Sequence, residues 1–168
     1  VGREPEYTGL IVFQTVDQAI QQYKSLAEKV FTTPSPNTDA QYDHRQLESI
    51  IQDIIVNAPL PESDKLPYDS MMEDESVDAE MGGCRTFVVA ICTRGGYQAA
   101  RLRTYGTDEA GPFEGKIWEA ARATSAAPTF FSPVQVAGIK YGDGGTGWNN
   151  PTREAIYEAR IIWPNRHI

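Results

Sequence analysis

An α/β fold is predicted by three features of this sequence. Residues 86–92, TFVVAIC, form a β-rich and almost wholly apolar run, the pattern of a strand covered on both faces, and such strands belong to α/β sheets. Amphipathic helical patterns flank that run on both sides, so helices are available to cover a sheet. The 168 residues, 40% of them hydrophobic, suffice for one domain with a buried core.

Taken in order, Thr15 with Gln18 three residues later has the form of a capping box. Val16, Ala19, Ile20, Tyr23, Ala27, Val30 and Phe31 then recur at helical spacing up to a stop near Pro34. Asp43 and Gln46 repeat the capping signature ahead of Leu47, Ile50, Ile51, Ile54 and Ile55, a core-facing stripe that Pro59 ends. After the apolar strand, Arg94-Gly95-Gly96 turns the chain into a second strand around residues 100–105. Residues 117–123 make a short helix, and 134–136 with 139–141 make a small hairpin. Asn150, with Pro151 at the first helical position, opens a last helix running to Arg160. There is no internal repeat.

The net charge of −8 is concentrated in one place. Eight acids (Glu62, Asp64, Asp69, Glu73, Asp74, Glu75, Asp78 and Glu80) stand between residues 57 and 80 against a single base, Lys65. Pro59, Pro61 and Pro67 share the stretch, which points to a solvated surface loop, with a calcium or partner contact as the alternative. The remainder is nearly neutral, so neither nucleic acid nor an anionic membrane surface finds the clustered Lys and Arg it needs. No run approaches the roughly 18 apolar residues of a membrane span, and no charged-then-apolar leader opens the chain. Cys84 and Cys92 fit neither a disulfide framework nor the paired spacing of a zinc site; reduced, buried thiols are expected. The start at Val1, without an initiator methionine, gives the expectation of a piece of something longer.

Chemistry is concentrated in YGDGGTG, residues 141–147. Asp143 ends a strand and is followed by Gly144 and Gly145, where the backbone can turn sharply and another group can approach without meeting a Cβ. Three roles fit that pattern: a hairpin turn, a phosphate cradle, or a catalytic base whose geometry the glycines fix. The cradle is the weakest of them, since the lysine of a P-loop and its spacing are missing.

The run IWEAARATSAAPTFF followed by YGDGGTGWNNP closely resembles the patatin-like phospholipases, a family of serine lipid acyl hydrolases. YDSMMEDE, CRTFVVAICTR and TVDQAIQQYKSLAEKVF look like further landmarks of that domain, in the family's order, so the resemblance covers nearly the whole chain. It implies a three-layer α/β/α fold and a Ser-Asp dyad in which the aspartate of the Asp-Gly-Gly motif takes the serine's proton directly. That aspartate maps onto Asp143, with Gly144 and Gly145 positioning its turn. The nucleophile's G-x-S-x-G elbow is found nowhere in the 168 residues, and neither is the glycine-rich oxyanion loop. Counting back from TVDQAI places the elbow just before Val1, with TGLIV at residues 8–12 as a remnant of the helix after it. Truncation explains the missing serine more simply than mutation.

Other candidates are weaker. Ser125 reads as a helix-ending turn serine. The only histidines, His44 and His167, stand at a helix start and at the C-terminal end, which gives a Ser-His-Asp triad little support. No His/Asp spacing matches a metal site. Arg122 reads as a partner for backbone carbonyls or an acid, with a substrate headgroup as the alternative. Trp118, Phe130 and Phe131 read as core, with lipid-chain contact as the alternative.

The expectation is a partial three-layer patatin-like fold, forming one N-terminally truncated unit over residues 1–168. Its parent would hydrolyse acyl esters of phospholipids or neutral lipids, without a cofactor. Its expected partners are the lipid ester, a membrane surface touched peripherally, and the missing N-terminal part of the same domain, in the cytoplasm. The alternative is a catalytically inactive patatin-like module with a binding or assembly role.

Overall fold

The computed structural model describes residues 16–36, 39–58, 62, 65–72, 85–94 and 96–167. The Thr15 half of the first capping box, residues 8–12, Cys84 and most of the acidic stretch lie outside them. The helices are α1 (Val16–Val30), α2 (His44–Val56), α3 (Ile117–Thr124), the single turn α4 (Gly145–Trp148) and α5 (Thr152–Ile162). The strands are β1 (Phe87–Cys92), β2 (Gln98–Arg103), β3 (Val134–Val136) and β4 (Ile139–Asp143). Helices and sheet together make the mixed α/β fold that the sequence predicts.

One sheet runs in the order β2-β1-β4-β3, and every pairing in it is antiparallel. β1 is central, as its apolar run demands, and Val89, Ala90 and Ile91 are buried across both faces. β2 pairs with β1 along its whole length, from Phe87↔Arg103 to Cys92↔Gln98. β4 pairs with only half of it, from Cys92↔Tyr141 to Ala90↔Asp143. Ala137 and Gly138 both have positive φ, the two-residue turn geometry that suits the twist of a tight β3–β4 hairpin.

Helices cover both faces. Ala90, Leu102, Val136 and Tyr141 meet Ala120 and Ala123 of α3 in the main core, with Ile117 packed against it. Met72, at 1% exposure, joins them, so part of the stretch expected as solvated loop is anchored. Its amide donates to Gly115 O at 2.8 Å. α2 stacks on α3, and a second cluster of Val30, Leu47 and Phe131 joins α1 to α2. The α1 stripe buries little else: Val16 and Tyr23 are 76% and 70% exposed.

On the opposite face, Arg101 and Arg103 of β2 meet α5. Arg103 donates to both oxygens of Glu158, each at 2.6 Å, and the Tyr105 hydroxyl donates to the same carboxylate at 2.8 Å. Arg101 binds Glu154 at 2.6 Å and Glu158 at 2.8 Å. Burial pushes the Glu158 carboxyl up, but Arg103, Tyr105 and the Arg101 charge outweigh it and hold it below the usual carboxylate range. The stabilisation is therefore complete above the carboxylate's unfolded pKa of about 4.3 and is lost as pH falls through the lower folded value. In urea titrations between neutral pH and pH 3, the unfolding midpoint should drop on the acid side. Glu158→Gln should flatten that drop and cost about 3 kcal/mol at neutral pH, because it leaves two guanidinium groups short of a buried partner.

Candidate active site

Asp143 closes β4 where the strand leaves the sheet. Its amide donates to Ala126 O at 3.1 Å, which ties the end of β4 to the segment leaving α3. Its Oδ1 accepts the Gly145 amide at 2.6 Å, an Asx turn that orients the carboxylate on its own backbone. Oδ2 has no hydrogen-bond partner among the described residues. The half-buried side chain lines an open groove of about 410 Å³, together with Phe87, Val89, Thr124, Trp148 and Pro151. Apart from Asp143, Thr124 and Asn149 that wall is mainly apolar.

Gly144 is buried, and of the two reasons the sequence offers for a glycine here, a sharp turn and the close approach of another group, the second is the one that operates. Its φ and ψ are −60° and −26°, open to any residue. What excludes a side chain is contact: a Cβ there would lie 2.7 Å from the Val89 carbonyl carbon and closer still to its oxygen. The second glycine is tuned to the carboxylate, since a Cβ on Gly145 would stand 3.1 Å from Asp143 Oδ1. Beyond it, Trp148 N–H bonds Gly144 O at 2.9 Å to close α4, and Gly147 takes a φ of 129°. Asn150 Oδ1 then accepts the Thr152 amide at 3.1 Å and starts α5, which runs two residues past Arg160.

The other candidates stay out of the groove. Ser125 is exposed at the C-cap of α3 and is not among the groove's lining residues. His44 begins α2 and His167 is exposed near the C-terminal end, neither beside Asp143. Arg122, 1% exposed, is the structural partner expected: it donates to Ser132 O at 2.6 Å and meets Glu48 at 3.3 Å. Burial holds its guanidinium pKa below the usual arginine value, and Glu48 offsets only part of that. Of the three aromatic residues expected in the core, only Phe131 is buried. Trp118 is half-buried, and Phe130, 42% exposed, stacks on Tyr42 instead. Cys92 is a free thiol but half-buried, where a buried one was expected.

Thr124 is the polar groove residue that sequence reasoning passed over. Its hydroxyl donates to Val89 O at 2.6 Å and it lines the groove beside Asp143. A hydroxyl at the end of an amphipathic helix, one residue before Ser125, was the available signal.

A mixed α/β protein with a strand-end carboxylate at the side of an apolar groove is the class that fold and site define. The model of the patatin-like phospholipase family matches residues 8–156, and the chain belongs to that family, one of acyl hydrolases. Calcium-independent phospholipase A2-gamma of Rattus norvegicus is 27% identical over 164 aligned residues, which cover 89% of this chain and 20% of the relative. The Homo sapiens protein of the same name is 27% identical, with 89% and 19% covered. Phospholipase A I of Arabidopsis thaliana is 42% identical over 53 residues, 32% of this chain and 4% of its own. The chain thus spans about a fifth of the length of the phospholipase A2-gamma relatives. Among the described residues, no helix is long and apolar enough to cross a membrane.

Proposed function

We propose that Asp143 is the general base of a Ser-Asp dyad that cleaves an acyl ester of a phospholipid or neutral lipid, with the serine supplied from outside these 168 residues. The observation that carries this is the Asp143 carboxylate itself: one oxygen is held by Gly145 N–H, and the other has no partner among the described residues, in a side chain that lines an open groove. A carboxylate so held can take a proton from a hydroxyl brought within roughly 2.6 to 3.2 Å. Family membership supports the ester, the apolar wall supports an acyl chain beside it, and the absence of G-x-S-x-G from residues 1–168 supports a serine from elsewhere. The relatives' name, calcium-independent, favours chemistry without calcium. Contact with the lipid surface is peripheral.

The test is the sequence and activity of a full-length protein carrying this chain. An intact G-x-S-x-G ahead of Val1 with lipid-ester hydrolysis is the expected result. A full-length protein with no such motif and no hydrolysis would instead leave a binding or assembly module. The 168-residue chain alone should show no turnover of short-chain activated esters above buffer, because its sequence holds neither the G-x-S-x-G elbow nor the glycine-rich oxyanion loop. Turnover that disappears in Asp143→Asn would overturn this and turn attention to Ser125.

A further inference from the structure

We propose that Thr124 is a positioning residue for Asp143, acting through the Val89 carbonyl; this rests on the assignment of Asp143 as the base. A threonine near the end of a helix ordinarily returns its hydroxyl to a carbonyl of its own preceding turn. Thr124 does not. Its Oγ1 reaches across to Val89 O on β1 at 2.6 Å, 35 residues away in sequence. That carbonyl lies one residue beyond the last β1–β4 pair, Ala90↔Asp143, where the ladder has ended. It is also the group against which Gly144 is pressed, close enough to exclude any Cβ.

The chain of contact is short. The Thr124 hydroxyl holds the Val89 carbonyl, the carbonyl sets how Gly144 sits, and the next residue, Gly145, carries the amide that grips Asp143 Oδ1 at 2.6 Å. A second stitch leaves the same segment two residues on, where Ala126 O accepts the Asp143 amide at 3.1 Å. Residues 124–126 therefore hold the carboxylate from both its strand side and its turn side. A dyad without histidine depends on that placement, since displacing a catalytic group by about 1 Å can cost a hundredfold in rate.

The test compares Thr124→Ser with Thr124→Ala in the full-length protein, two variants that differ by the one oxygen. Ser should keep kcat within about threefold of wild type, while Ala should lower it at least tenfold with KM within about twofold. Equal kcat for the two would overturn the proposal. Asp143→Asn is assayed alongside. If it abolishes turnover while Thr124→Ala does not lower it, the positioning role fails and the base survives; if Asp143→Asn stays active, the base assignment itself fails. A second readout needs no catalysis: amide exchange in the full-length protein. Thr124→Ala should speed exchange of the Gly145 amide at least tenfold relative to Ile51 in α2, and Thr124→Ser should not. An unchanged Gly145 rate, or a uniform rise at both amides, would count against the proposal even if Thr124→Ala were too unstable to assay.

Discussion

Replacing Asp143 by Asn in the full-length protein should lower kcat on a lipid ester by at least about a hundredfold, with KM and the unfolding midpoint nearly unchanged. The substitution is isosteric, and an amide oxygen can still accept the Gly145 N–H that now meets Oδ1 at 2.6 Å. The Asx turn therefore survives while the capacity to take a proton does not. Carboxylates are weak bases toward hydroxyl groups, so such a dyad works only if proximity and oxyanion donors lower the barrier together. Removing the acceptor leaves those two contributions without a route for the proton. Steady-state kinetics beside urea unfolding would separate loss of chemistry from loss of fold. Near wild-type turnover in a folded Asp143→Asn protein would reduce Asp143 to a turn residue.

Gly144→Ala should be the most destabilising of the glycine substitutions around the site, by about 3 kcal/mol, at the upper end of what overpacking costs. The new methyl would overlap the Val89 carbonyl, and Val89 belongs to the central strand, which cannot retreat without breaking its pairing with Arg101. Conformational strain contributes nothing, because φ and ψ at Gly144 suit alanine. Gly144→Val adds bulk to the same overlap and should cost more. Gly142→Ala is the control: a Cβ there meets nothing within 4 Å, and the cost should stay below about 1 kcal/mol. Thermal or urea unfolding of the pair gives the comparison. Similar losses at both positions would mean that the contact between Gly144 and Val89 is not what the glycine protects.

Local patterns carried far in this sequence. The apolar run of β1, the helical spacing of α2 and α3 and the turn before β4 each express a preference of a few neighbouring residues, and all of them could be read directly. Asp143 was legible for the same reason, since strand, carboxylate and two glycines are contiguous. What escaped depends on residues brought together by the fold. Gly144 was recognised as necessary, but the cause, the Val89 carbonyl, lies more than fifty residues upstream. The hydroxyl of Thr124 looks like any helix-ending polar group until β1 is placed beside it. Arg101 and Arg103 alternate along β2, and Glu154 and Glu158 are one helical turn apart, yet only the layering of α5 on the sheet joins them. The α1 stripe shows the limit of periodicity from the other side. It announced a helix correctly, while Val16, Ile20 and Tyr23 stay exposed, because spacing specifies a face and not what covers it.

The central claim is that Asp143 activates a serine lying outside residues 1–168, and covalent labelling with a fluorophosphonate tests it most directly. Such a reagent phosphonylates a serine whose hydroxyl proton is being removed, expelling fluoride as the proton leaves. In a full-length protein carrying this chain, peptide mapping should find the adduct on the serine of a G-x-S-x-G segment ahead of Val1. The labelling rate should fall at least about a hundredfold in Asp143→Asn. An adduct on Ser125, or a labelling rate that Asp143→Asn leaves unchanged, would contradict the account.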